Sequence, residues 1–157
     1  MTTTSFRFHA LPVATLDRVR ADLIDDNGVP VERVTAEGRE PLRCCLRGAR
    51  AGEALLLFGY RPALPASPYA EIGPVYAHAE PCDGPASATE YPAEWLRRPQ
   101  VLRAYDRRGW IHEATRVHDG SDPEGALAAV LADPDVVQVH SRNVAWGCYM
   151  FAVTRAA

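Results

Sequence analysis

The period of apolar and polar positions changes several times along the chain, and each change marks an element. Residues 5–10 (SFRFHA) alternate, with Phe6 and Phe8 to one side and Arg7 and His9 to the other, the pattern of an edge strand. Leu16, Val19, Leu23 and Ile24 then recur at helical spacing behind Thr15 or Asp17 as a cap. The turn residues at 25–28 (DDNG) end that helix. Residues 29–35 return to strand character, with Pro30 placing them at an edge. Residues 42–46 read as a short strand. After the turn at 47–52, residues 53–60 form its hairpin partner, whose unbroken apolar centre requires cover on both faces.

Three prolines make residues 61–68 an ordered loop, and residues 73–78 are again a strand, Val75 and Ala77 facing one way, Tyr76 and His78 the other. Pro92 opens a single helical turn within 91–100. Residues 101–105 and 110–118 form a hairpin around the turn at 106–109 (DRRG). Ser121-Asp122-Pro123-Glu124 opens a second helix with Ala126, Leu127, Val130 and Leu131 as its stripe, and Asp133-Pro134 stops it. Residues 136–142 and 148–154 close the chain as a strand pair, with Gln138, His140 and Arg142 on a solvated face. Short strands joined by short turns pair antiparallel. The expected class is α+β: a mostly antiparallel, curved or barrel-like sheet of short strands with two helices.

At 157 residues the chain is read as a single domain, 1–157, large enough to fold without a disulfide or a metal. Met1 to Phe8 lacks the apolar core of a signal peptide, and no apolar run reaches membrane-span length, so the expected setting is the cytoplasm, with reduced thiols and no membrane partner. The net charge of −3 and the dilution of the one arginine cluster (Arg97, Arg98, Arg103, Arg107, Arg108) by Asp106 and apolar residues exclude nucleic acid as the expected partner. All seventeen basic residues are arginine.

Candidate chemistry concentrates in three places. The first is Cys44-Cys45 with His78 and Cys82. Adjacent cysteines on a strand point to opposite faces, so only one of them joins His78 and Cys82. Three donors leave an open position, as in catalytic zinc sites. The sequence therefore commits to no metal ligand, and buried thiols are the simpler account. His78, Cys45 and Cys82 are the catalytic candidates, as acid/base and thiol nucleophiles. The second place is the strand end His140, Arg142 and Asn143, where an arginine fork beside a histidine suits a carboxylate or phosphate. The third is the set Tyr60, Tyr69 and Tyr76, which could wall a pocket. Glu53 reads as an ion-pair partner of Arg43 or Arg103. No dinucleotide, P-loop, nucleophile-elbow, zincin or calcium-loop motif is present.

The runs RCCLRGARAGEALLLFGYRP, SPYAEIGPVYAHAEPC, LRAYDRRG and HSRNVAWGCYMFAVTR together resemble a bacterial domain-of-unknown-function family, number 1203, over roughly residues 43–155. The resemblance brings no established activity, substrate or cofactor. It implies that His78, Arg103, Arg142 and Asn143 share one recurrent pattern. Family members often carry a cysteine nearer Leu42, in a spaced pair with Cys45; here that place is leucine and the second thiol is adjacent, which counts against a metal site that needs the spaced pair. The function expected from these residues is binding, with or without transformation, of a small anionic molecule in a pocket of the curved sheet. Arg142, Asn143, Arg103 and His140 would hold the anion, and Tyr60 and Tyr69 would form the walls. One alternative is a non-catalytic interaction domain working through a homodimer or a partner chain, supported by Trp95 and Trp110 read as exposed. A second alternative is a zinc-dependent enzyme at Cys45, His78 and Cys82. Neither the cofactor nor the existence of an enzymatic activity is fixed by the sequence.

Overall fold

A computed structural model describes residues 5–156; Met1–Thr4, half of the segment read as lacking a signal-peptide core, lie outside the described residues, as does Ala157. In chain order the elements are β1 (Phe6–His9), α1 (Val13–Asp22), β2 (Glu32–Thr35), β3 (Pro41–Leu42), β4 (Arg47–Gly48), β5 (Ala54–Tyr60), β6 (Gly73–His78), a 3-10 turn (Ala93–Trp95), β7 (Gln100–Tyr105), β8 (Arg116–His118), α2 (Pro123–Leu131), β9 (Gln138–Asn143) and β10 (Tyr149–Arg155). The class is α+β, with two α-helices and strands divided between two open five-stranded sheets. Every strand pairing is antiparallel except that of β3 with β6. None of the helices is long and apolar enough to cross a membrane, among the described residues.

The chain forms two compact units. The first contains β1, residues 63–70 and everything from Ser87 onward. Its sheet runs β1-β10-β9-β7-β8. As the alternation of residues 5–10 predicts, β1 is an edge strand that turns Phe6 and Phe8 inward. Phe8 meets Tyr91 and Phe151 edge to face, and Trp95 stacks on Phe151 at 6.0 Å. Helix α2 opens as its sequence dictates: the Asp122 carboxylate accepts the Gly125 N–H at 3.0 Å and Pro123 occupies the first turn. At the other end Arg155 donates to the carbonyl oxygen of Leu131, an acceptor that the helix terminus leaves unpaired, and to those of Asp133 and Val136 in the segment that follows.

The second unit contains α1 and the sheet β2-β5-β6-β3-β4. Strand β5 is covered on both sides, with Leu55, Leu56, Phe58 and Tyr60 buried, as its continuous apolar run requires. Burying each such side chain stabilises by about 1.5–3 kcal/mol.

Several local expectations are corrected. Residues 42–46 are not a strand: the chain leaves β3 at Leu42, turns through 43–46 and re-enters the sheet at Arg47. Their hairpin with β5 does not form, because β5 pairs with β2 and β6. Helix α1 begins at Val13, before Thr15 and Asp17, and has no side-chain cap; a left-handed Leu23 ends it. The β7–β8 hairpin has an irregular return, its second strand covering only Arg116–His118. Trp95 is 1% exposed and belongs to the core, whereas Trp110 is partly exposed. The face of β9 read as solvated is covered: this strand lies between β7 and β10, and His140 and Arg142 are buried.

Candidate functional site

The correction at residues 43–46 creates the site. Leu46 N–H bonds to the Leu42 carbonyl at 2.9 Å, closing one helix-like turn, and Leu46 adopts φ 55 to leave it. Successive side chains diverge by about 100° in a helical turn rather than by the half-turn of a strand, so Cys44 and Cys45 can reach the same point. The turn docks on β6 through Arg43 N–H to the Tyr76 carbonyl, 2.9 Å, beside the parallel Leu42–Tyr76 pairing. That places it against His78, the last residue of β6, and the chain then bends so that Cys82 closes the group.

One ligand atom from each of Cys44, Cys45, His78 and Cys82 lies within 4.8 Å of the other three. Cys44 Sγ is 3.9 Å from Cys45 Sγ and 3.5 Å from His78 Nδ1; Cys45 Sγ is 3.9 Å from the same nitrogen. A disulfide would need about 2.05 Å, so these sulfurs are not bonded to each other. The edges of a tetrahedron around zinc, with Zn–S near 2.3 Å and Zn–N near 2.0–2.1 Å, are about 3.8 Å for S···S and about 3.6 Å for S···N. The three separations fall within a few tenths of an ångström of those edges.

The imidazole is oriented for this use. His78 Nε2 lies 2.7 Å from Glu53 Oε2; a carboxylate cannot donate, so Nε2 carries the proton and Nδ1 presents its lone pair to the sulfurs. The Arg47 guanidinium 3.2 Å from the same nitrogen is therefore a neighbour sharing the carboxylate, not a donor to the ring. Arg47 holds both oxygens of Glu53, at 3.1 and 3.2 Å, and the Arg50 N–H adds a bond at 2.6 Å. These partners, Arg47 first, pull the Glu53 carboxyl down to about 2. Glu53 thus pairs with Arg47 and His78, not with Arg43 or Arg103 as expected from sequence. Arg20 fixes the backbone of the same histidine, donating to the His78 carbonyl at 3.1 and 3.2 Å.

The sulfurs are unequal. Cys44 accepts the His78 backbone N–H at 3.2 Å and shares a thiol hydrogen bond with Cys45 at 3.9 Å. The hydrogen bond with Cys45 is the largest cause that brings the Cys44 thiol down to about 5, against the opposing effect of burial. The same bond, then burial, pushes Cys45 up, and burial raises Cys82. Cys44 and Cys45 are buried, while Cys82 is exposed at the wall of an open groove of about 580 Å³ lined also by Cys45, Arg47, Glu53, Glu80 and Asp83.

A second cluster, His112 with Asp133 and Asp135, has the right residue types but the wrong proton. His112 Nδ1 accepts the Ala114 N–H at 3.0 Å, so Nε2 keeps its hydrogen and faces Asp133 at 3.5 Å. Neither nitrogen is left to bind a metal.

The other residues singled out from sequence fall elsewhere. In the first unit, His140 pairs with Arg103 across β9–β7, its ring lying 4.6 Å from that of Tyr105 and 5.2 Å from that of Tyr149. Burial, then the charges of Arg142 and Arg103, hold His140 down at about 3, so it is neutral. Arg142 donates to the Gly147 carbonyl at 2.9 Å, and Asn143 Oδ1 accepts the Cys148 N–H, also at 2.9 Å, closing the β9–β10 turn. Tyr69 is partly exposed against Trp110. Tyr60 is in the second unit, buried on β5, its hydroxyl pushed up to about 12 by that burial. Of the candidates, Cys45, His78 and Cys82 converge, joined by Cys44; sequence reasoning missed Arg47 and gave Glu53 other partners than His78 and Arg47. The spacing of Glu53 and His78 signals nothing locally, because β5–β6 pairing brings them together.

Residues 39–155 match the family described as "Protein of unknown function (DUF1203)". The chain belongs to that family. The matched span contains all four converging donors and both residues that orient the imidazole. No curated protein and no solved structure matches the chain.

Proposed function

We propose that this family member is a zinc protein whose metal is held by Cys44, Cys45 and Cys82 as thiolates and by neutral His78 through Nδ1. The observation that carries the reading is the near-tetrahedral spacing of Cys44, Cys45 and His78, with Cys82 within 4.8 Å of each and His78 Nε2 tied to Glu53. Three soft sulfurs and one imidazole in a tetrahedron select zinc among common divalent ions. A carboxylate on the far nitrogen of a metal-binding histidine fixes its tautomer and raises its basicity. Three thiolates leave the centre with a net charge of −1, and Arg47 and Arg20 lie beside it to offset that charge. Four protein donors close the coordination shell, so the metal's role is to hold the 43–46 turn and the 78–82 segment together rather than to bind substrate. This distinguishes the centre from the three-donor zinc enzyme considered from sequence, whose open position would be at the adjacent cysteine. Retaining free thiolates as ligands fits a reducing, cytoplasmic setting.

The test is native mass spectrometry of reduced, untagged protein against its denatured mass. One zinc per chain is expected, lost in Cys45→Ser and in His78→Ala. A bare chain that stays bare after zinc is added refutes the proposal.

A second reading, an interaction surface, draws on Trp146, which is 87% exposed beside exposed Val144 at the β9–β10 turn. It predicts a dimer or partner complex that Trp146→Ser dissociates in sedimentation velocity. A wild-type monomer whose own partners are unaffected by the substitution would end it.

A further inference from the structure

The four donors are not equally protected, and that asymmetry has a chemical consequence. Cys44 and Cys45 are 2% and 8% exposed, held in a hydrogen-bonded turn; Cys82 is exposed, on an irregular segment, at the wall of the open groove. Cys45 lines the same groove but is nearly covered, so a small electrophile entering from solvent meets the exposed Cys82 sulfur first. The sulfurs of Cys44 and Cys82 lie within 4.8 Å of each other. Cys44 and Cys45 are poorly suited to pair instead: consecutive Cα atoms are about 3.8 Å apart, below the roughly 4.4 Å at which disulfides begin.

We propose, resting on the zinc reading above, that Cys82 is an oxidation site for hydroperoxides and that its oxidation releases the metal by forming a Cys44–Cys82 disulfide. In the first step the Cys82 thiolate attacks the distal peroxide oxygen. The O–O bond breaks, one proton is taken up, the hydroperoxide ROOH leaves as the alcohol ROH (water from hydrogen peroxide), and Cys82 becomes a sulfenic acid. In the second step the Cys44 thiolate attacks the Cys82 sulfur. The S–S bond forms, the S–O bond breaks, and the hydroxide leaves as water with a second proton. Two thiolates lose two electrons and one peroxide gains them. Two of the four donors are consumed, and Cys45 with His78 cannot hold zinc in a closed tetrahedron. The groove supplies access for the oxidant, and the buried turn supplies the resolving sulfur.

The test uses the full chain carrying Cys148→Ser, which removes the partly exposed cysteine outside the cluster. Zinc content of the reduced protein is measured first. Hydrogen peroxide is then titrated in while released zinc is followed with a colorimetric chelator, and the disulfides are mapped by non-reducing peptide mass spectrometry. The expected result is one zinc released per peroxide consumed, a Cys44–Cys82 cross-link as the product, and recovery of the zinc form on adding thiol reductant and zinc. Zinc that stays bound while peroxide is consumed overturns the proposal. So does release without that cross-link, whether through a Cys44–Cys45 bridge or through over-oxidation. A reduced protein that binds no zinc at the outset instead overturns the metal reading on which the proposal rests, so the two failures are told apart by the first measurement.

Discussion

Replacing Glu53 by glutamine separates a metal-orienting carboxylate from an ordinary ion-pair partner. Glu53 accepts from four donors: two Arg47 nitrogens, the Arg50 N–H and His78 Nε2. Glutamine keeps the shape but carries no charge, and its one carbonyl oxygen cannot serve both the ring and the guanidinium. As an ion pair, the Arg47–Glu53 contact is about a third exposed on each side, which limits its worth to about 0.2–1 kcal/mol. As the carboxylate behind a metal-binding histidine, it is worth about 10–100-fold in metal affinity, or about 1.4–2.7 kcal/mol. The two readings therefore differ in which state suffers. Zinc affinity, measured by competition with a chelating dye, should fall at least about 10-fold in Glu53→Gln. Urea unfolding of the metal-free chain should lose no more than about 1 kcal/mol. An affinity within about twofold of wild type, in a protein whose Cys45→Ser variant binds no zinc, would refute the role given to Glu53.

Other positions make separate predictions. His140 is held at about 3, well below its unfolded value of 6.5, so as pH falls below 6.5 the unfolded chain takes up a proton that the folded chain refuses. Stability is present in full above about 6.5 and is lost at about 1.4 kcal/mol per pH unit as pH falls toward the folded value; in metal-free protein, His140→Leu should lower the slope of unfolding free energy against pH by one proton, and an unchanged slope would contradict a buried neutral imidazole. Gly120 has φ +89, and a Cβ there would lie 2.5 Å from backbone atoms of Arg97 and Arg98, whereas at Gly84, φ +79, it would meet nothing within 4 Å. Gly120→Ala should therefore cost about 3 kcal/mol or more in denaturant unfolding and Gly84→Ala about 1–2 kcal/mol, and equal costs would show that the close approach does not matter. Arg155→Met removes the donors to three carbonyl oxygens at and beyond the end of α2 and should cost about 1–3 kcal/mol, read as a shift in urea midpoint with the slope unchanged.

The elements legible in the sequence are those whose signals are local. The Asp122-Pro123 cap, the alternation around Phe6 and Phe8, the apolar run of β5 and the alternation of β6 each announce themselves within a few residues, and each is where the pattern puts it. The α+β class with mostly antiparallel strands follows from them. The site was half legible: its residue types were singled out, but the rule that adjacent strand residues face apart removed one thiol from it. What defeated the rule is Leu46 in the left-handed region, a conformation usually marked by glycine or asparagine and here carried by a buried leucine. The orienting pair Glu53 and Arg47 depends on which strands lie beside β6, and nothing near either residue records that. His140 and Arg142 looked solvated because one face of their strand is polar in sequence; β9 is interior, and rings of Tyr105 and Tyr149 cover the imidazole.

X-ray absorption at the zinc edge on the reduced, zinc-loaded protein tests the central claim most directly, since it reads the donor atoms rather than the mere presence of metal. The account predicts a four-coordinate shell of three sulfurs at about 2.3 Å and one imidazole nitrogen at about 2.0–2.1 Å, with the imidazole signature lost in His78→Ala. A shell of nitrogen and oxygen donors, or one with a single sulfur, would contradict it.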